Sequence, residues 1–282
     1  MPKAEFIESE LYKGKCKVRF YPNSHRYTVN GKPTNGSVTG IIAMYDKSGQ
    51  LTPWAAEVTA EYLKEKFAEK KELFEEDFLD AEEQHTIKKK EAASIGSEVH
   101  EWIEHYINGE KPEMPDTKEA QIGVNAFLDW VNDNKVKFLS SERVIYSRKH
   151  DFIGKMDIEA KVNGKLCLID IKTSNGIYNT YYMQTAAYVK ADEEESGRKY
   201  HGRWILRLAK ETEKEYDKRM AKKNHKRSRK GKEEVDYPPY QVFEAMFLDD
   251  TAGNLERDFE AFLACQKLKA FDKVTGFYAS LK

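Results

Sequence analysis

The dipeptide Asn163-Gly164 constrains this chain more than any other feature. It separates two runs rich in apolar and β-branched residues, 153–162 and 165–173. A two-residue hairpin turn needs positive φ at both central positions, and Asn-Gly supplies it best. Val162 then faces Lys165, and counting outward sets Asp157 opposite Asp170, with Cβ atoms roughly 5 Å apart. Lys172, two residues past Asp170, points to the same face. Two readings fit this spacing. One is a surface ladder in which Lys172 and Lys155 answer the two acids. The other is a site where a divalent cation relieves their repulsion, with hard oxygen ligands favouring Mg2+ or Mn2+. Leu166-Cys167-Leu168-Ile169 reads as a strand covered on both faces, and an acid at the end of such a strand favours the second.

Around this hairpin the hydrophobic period alternates between helix and strand. Short strands are expected at 17–21 and 26–29, with Asn30-Gly31 as a turn, then a short helix after Ser37. Thr52-Pro53 reads as the start of a helix reaching about residue 80, with threonine as cap. Helices follow at 87–107 and 118–134, where Val99, Trp102, Ile103 and Tyr106 make one apolar face. A strand at 136–146 precedes the hairpin. A helix at 181–190, strands at 200–208 and 240–247 and a helix at 255–270 complete the chain. The expected class is α/β of the mixed α+β kind, a central mixed sheet flanked by helices. One domain over 1–282 is the default, with an N-terminal hairpin and helical region to 135 and a sheet core from 136.

Composition narrows the function classes. Hydrophobic residues make up 40% and charged residues 34% of 282. No run approaches the roughly 18 apolar residues of a membrane span. Residues 1–6 lack a secretory apolar stretch, so a cytoplasmic chain without membrane partners is expected. Cys16, Cys167 and Cys265 are widely spaced and include no CxxC pair, which excludes an iron–sulfur cluster or disulfide framework. The net charge of -1 conceals an uneven distribution: residues 198–232 carry +11 and the remainder -12. The insertion at 210–232 holds Lys222, Lys223, Lys226, Arg227, Arg229 and Lys230 and almost no apolar residue near them. It reads either as a disordered solubilising loop or, favoured here, as a flexible arm that neutralises nucleic-acid phosphates.

Gly154-Lys155-Met156-Asp157, Asp170-Ile171-Lys172-Thr173 and Gln184-Thr185-Ala186-Ala187-Tyr188 together resemble the PD-(D/E)xK nuclease superfamily. Gly96-Ser97-Glu98-Val99-His100 is similar to the GxxxH helix motif of its RecB-like exonuclease clade, and Ser37-Val38-Thr39 with Leu51 and Trp54 resembles phage-type and mitochondrial single-strand exonucleases. Met156 departs from the proline in the superfamily's name. The resemblance implies a restriction-endonuclease-like core and a Mg2+- or Mn2+-dependent deoxyribonuclease, an exonuclease acting on free or single-stranded DNA ends in recombination, repair or phage DNA metabolism. It implies Asp157, Asp170, His100 and the Ile171 carbonyl as metal ligands and Lys172 as the catalytic lysine. Gln184 and Tyr188 would stand beside the substrate, and Glu142 would be a possible additional acid. A single-strand annealing or recombination protein would be a fitting partner. A structure-specific endonuclease and an inactive DNA-binding module of the same fold are the alternatives. His150 and Asp151 read as a turn, and without the motif His100 would read as a packed helical residue.

Overall fold

The structure, a computed structural model, describes residues 6–280, so Met1 to Glu5 lie outside it. Strands β1 (Ile7–Leu11), β2 (Cys16–Tyr21), β3 (Arg26–Val29) and β4 (Lys32–Pro33) form an antiparallel sheet. Of these, β1 and β4 have no counterpart in the sequence reading. The Asn30-Gly31 turn between β3 and β4 has positive φ at both residues, as its composition requires.

A second sheet of β5 (Val136–Ser147), β6 (Phe152–Val162), β7 (Lys165–Lys172), β8 (Gly202–Leu208) and β9 (Phe243–Asp249) runs in that spatial order. Only β7 and β8 are parallel, and α5 (Asn179–Ser196) makes the crossover between them. Alternation along β7 divides the core. Leu168 packs with Val38, Met156, Ala187 and Phe262, from α1 (Val38–Ile42), β6, α5 and α7 (Asn254–Ser280). Its neighbour Ile169 packs on the opposite face with Val99 and Ile103 of α3 (Glu75–Ile107) and Phe127 and Trp130 of α4 (Lys118–Asp133). The result is a mixed α/β fold whose central mixed sheet is flanked by helices, preceded by an N-terminal region of strands and helices.

Two helical expectations change. Helix α2 runs Ser48–Lys70, so Pro53 lies inside it. Lys47 is the N-cap instead, and just before it the Asp46 carboxylate accepts from the Ser48 N–H at 2.8 Å and the Ser48 hydroxyl at 3.0 Å. The chain then breaks at Lys71 (φ 61) and α3 begins at Glu75, twelve residues ahead of the expected start. No glycine marks that break, which is why composition ran the first helix on to residue 80.

The basic insertion is the larger correction. It is not a flexible arm: α6 (Glu213–Ser228) fills most of it. Thr212 and Glu215 form a reciprocal capping box, Met220 is buried, and the late cations complement the helix dipole. Ion pairs tie the helix to α2, where Lys222 Nζ lies 2.5 Å from Glu61 and Lys226 pairs with Glu57 and Glu61.

Candidate metal centre

The central sheet is irregular around Asp157. On one side the pairs Ser141–Ile158 and Arg143–Met156 bracket Glu142 and Asp157, and Glu142 has φ 50 in the middle of β5. On the other side the hairpin keeps the register set by Asn163-Gly164 from Val162–Lys165 to Ile158–Ile169, where the ladder stops. Asp157 and Asp170 occupy the next position, where the strands part. Met156 packs with α1, α5 and α7, whereas Ile158, Ala160 and Val162 pack with α3 and α4. Even-numbered residues of a regular strand share one face, so β6 changes face across Asp157.

This distortion brings three ligand types together. One donor atom from each of His100, Glu142 and Asp157 falls within 4.8 Å of the others, an arrangement able to hold a metal ion. His100 Nδ1 is 3.8 Å from Asp157 Oδ2 and 3.9 Å from Glu142 Oε1. Asp157 is oriented by the Ile171 N–H, which donates to Oδ2 at 2.9 Å, and Glu142 is paired with Lys155. Glu142 therefore belongs to the centre itself, more than its loose match to the family pattern suggested.

Asp170 is fully buried and stands with Lys172, whose Nζ is 2.5 Å from its Oδ2. Lys172 Nζ also donates to the Ile171 carbonyl at 3.3 Å, the oxygen expected to bind metal. Neither carboxylate oxygen of Asp170 accepts a hydrogen bond with good geometry. Lys172 offsets only part of the desolvation cost of this buried carboxylate, whose pKa still rises, and a further cation would offset more. One imidazole with the two carboxylates of Glu142 and Asp157 is also a donor set suited to a hard divalent cation, and Asp170, expected as a ligand, is not among the residues whose donor atoms converge. On both counts the residues fit a metal.

The charges respond to this packing. Burial pushes the Asp170 carboxyl above its ordinary range and Asp157 adds to the rise, with Lys172 opposing. Burial works against the charge on Lys172, but Asp170 and Asp157 outweigh it and hold the ammonium protonated. Burial likewise opposes charge on His100, and Asp157 with Glu142 reverses the balance and raises the imidazole. Burial would raise Glu142, but His100 and Lys155 bring it below its usual value. Asp157 and Glu142 thus favour the proton on His100, and a dication bound there would oppose it.

Two glycines let the surrounding elements close in. A Cβ on Gly96 would lie 3.0 Å from Thr173 Oγ1, so glycine allows α3 to press against the end of β7 and set His100 one turn further on. A Cβ on Gly154 would lie 2.6 Å from the Tyr188 ring. Tyr188 and Gln184 are both buried, and Gln184 Nε2 donates to the Tyr188 hydroxyl at 2.9 Å. They form a polar pair within the core.

The sequence reading missed the network behind the site. Asp192 of α5, fully buried, binds Arg143, accepts from the Tyr200 hydroxyl at 2.7 Å and pairs with Arg198 at 3.1 Å. Arg143 follows Glu142 directly, so this network anchors β5 where its backbone is distorted. The available signal was spacing: Asp192 lies one helical turn past Tyr188, on the face that carries Gln184 and Tyr188, and an acid buried there is almost always paired.

None of the six basic candidates lines the groove at His100, Glu142 and Asp157. Besides Lys222 and Lys226, which pair with glutamates of α2, Lys223 sits 5.6 Å over the Tyr237 ring and Arg227 Nε donates to the Glu233 carbonyl at 2.8 Å. Arg229 and Lys230 are exposed at the end of α6. No protein-family model matches the chain, and no curated protein matches it. No helix among the described residues is long and apolar enough to cross a membrane.

Proposed function

We propose that this chain is a metal-dependent deoxyribonuclease of the PD-(D/E)xK type with a restriction-endonuclease-like core, closest in character to RecB-like exonucleases. The observation carrying the reading is the convergence of His100, Glu142 and Asp157 beside the buried Asp170–Lys172 pair, where β6 and β7 separate. In this reading His100, Glu142, Asp157 and Asp170 hold Mg2+ or Mn2+, which supplies charge neutralisation at the phosphate and a more acidic bound water. Asp157, fixed by the Ile171 N–H, orients the donor set. Lys172, protonated by its two acidic neighbours, acts as a fixed cation beside the phosphate and stabilises the negative charge that develops during attack. Gln184 and Tyr188 support the site from beneath, through the position of β6. An open groove of about 820 Å³, lined by residues that include Gly96, His100, Glu104, Glu142 and Asp157, gives a strand room to reach the centre.

The test is digestion of linear and circular DNA, single- and double-stranded, with each end labelled in turn and Mg2+ or Mn2+ supplied. Mononucleotides or short products from linear DNA, with circles spared, are expected. Cleavage of circles would make the enzyme an endonuclease, and no metal-dependent cleavage of any substrate would leave a DNA-binding module.

A further inference from the structure

We propose that Tyr178, backed by Tyr181, is a stacking platform for the unpaired base next to the scissile phosphodiester, and that it makes the site select single-stranded DNA. The inference rests on the nuclease reading and adds the feature that chooses between single and double strands.

Tyr178 is the N-cap of α5, a position that favours Ser, Thr, Asp or Asn because a short side-chain oxygen can accept from the first turn. The Tyr178 side chain makes no such bond, so capping does not account for a tyrosine here. Burial does not account for it either, since the residue is 41% exposed. What the ring does have is a chain of contacts leading to the chemistry. Lys172 Nζ, 2.5 Å from Asp170, lies 5.0 Å from the centroid of the Tyr181 ring. The Tyr181 centroid in turn lies 5.6 Å from that of Tyr178, with the rings inclined at 72°. Lys172 thus takes up Tyr181, and Tyr181 props Tyr178 in an edge-to-face contact that leaves the outer ring toward solvent. The preceding loop is braced, because Ser174 Oγ donates to the Gly176 carbonyl at 2.8 Å. Phe67, Phe74 and Phe78 of α2, α3 and their junction are exposed as well, but among the described residues it is Tyr181, not one of these rings, that Lys172 sits over.

An aromatic face beside a phosphate site is the usual means of gripping single strands, because each unpaired base offers a π-face whatever its sequence. A base inside a duplex has both faces covered by its neighbours. A strand with its phosphate at Lys172 would meet Tyr178 with the adjoining base only if that base were unpaired.

The experiment is fluorescence-anisotropy binding of the full chain in EDTA, with thermal unfolding of each variant as a check on folding. The probes are a fluorescein-labelled oligothymidine, an abasic oligodeoxyribonucleotide of the same length and a blunt duplex. Tyr178→Ala should weaken oligothymidine binding about tenfold, within the range found for removing one base-stacking ring. Tyr178→Phe and Tyr178→Trp should bind within about twofold of wild type, as ring stacking requires. The abasic strand and the duplex should not distinguish Tyr178→Ala from wild type. Unchanged oligothymidine binding by Tyr178→Ala, or an equal loss on the abasic strand, would overturn the proposal. Wild-type protein that binds with this pattern but hydrolyses no DNA with Mg2+ or Mn2+ would remove the nuclease reading and keep the stacking site.

Discussion

Glycine at position 142 should stabilise the metal-free protein relative to alanine, although inside a regular strand the order is the reverse. Glu142 holds φ 50 in mid-strand, a conformation costing a residue with a Cβ roughly 1–2 kcal/mol. Glu142→Ala keeps that cost, whereas Glu142→Gly removes it. Glycine gives back about 0.4–1 kcal/mol through the greater freedom of its unfolded chain. Both variants lose the ion pair with Lys155 and the contact with His100, so those losses cancel in the comparison. The expected difference is about 1 kcal/mol in favour of glycine, against about 0.5–1 kcal/mol in favour of alanine where φ is ordinary. Urea unfolding in EDTA reads it as a midpoint about 0.3 M higher for glycine, at an unchanged slope of about 3 kcal/mol/M. Calorimetric titration with Mn2+ should show the same loss of affinity in both variants, because both lack the carboxylate. If alanine proves as stable as glycine, the distortion is not what turns Glu142 into the site.

Gly96→Ala should leave stability within about 1 kcal/mol, because the helical gain of alanine offsets the 3.0 Å approach of its Cβ to Thr173. It should nevertheless reduce Mn2+ affinity in calorimetry, since α3 must shift and His100 moves with it; unchanged affinity would disprove this positioning role. For Asp170→Asn the expectation concerns pH. The Asp170 carboxyl is raised on folding, so the folded protein holds more protons, and the group's contribution is present in acid and lost as pH rises through its folded value. Urea midpoints measured in EDTA from pH 4 upward should fall less steeply for Asp170→Asn than for wild type, and parallel curves would refute the assignment.

The features legible in the sequence were those with short-range physical causes. Asn163-Gly164 fixed the hairpin register, which holds through Ile158–Ile169, and the periodicity of Val99, Trp102 and Ile103 located the helix that carries His100. Glu142 was undervalued because its position depends on a left-handed residue inside a strand, which has no local sequence signal and is held by the anchor of Arg143 on Asp192, 49 residues further along the chain. The segment 210–232 was misread because net charge hid a capping box at Thr212 and Glu215 and because the acidic partners Glu57 and Glu61 are distant in sequence. Gln184 and Tyr188 share a helical face as expected, but spacing alone gave no sign that the face is buried against Gly154.

The central claim is that the acids around Asp157 serve metal-dependent phosphodiester hydrolysis, and Asp157→Asn tests it most directly. Asparagine keeps the shape of the side chain and an oxygen to accept from the Ile171 N–H, which now bonds Asp157 Oδ2 at 2.9 Å, so the fold should persist. Single-turnover hydrolysis of end-labelled single-stranded DNA in Mg2+ or Mn2+ should be measured for wild type and variant, with EDTA controls. The account predicts hydrolysis by wild type that EDTA abolishes, and a loss of about a hundredfold or more in a folded Asp157→Asn protein. A variant rate within threefold of a metal-dependent wild type, or a wild type that cleaves no DNA with either metal, would contradict it.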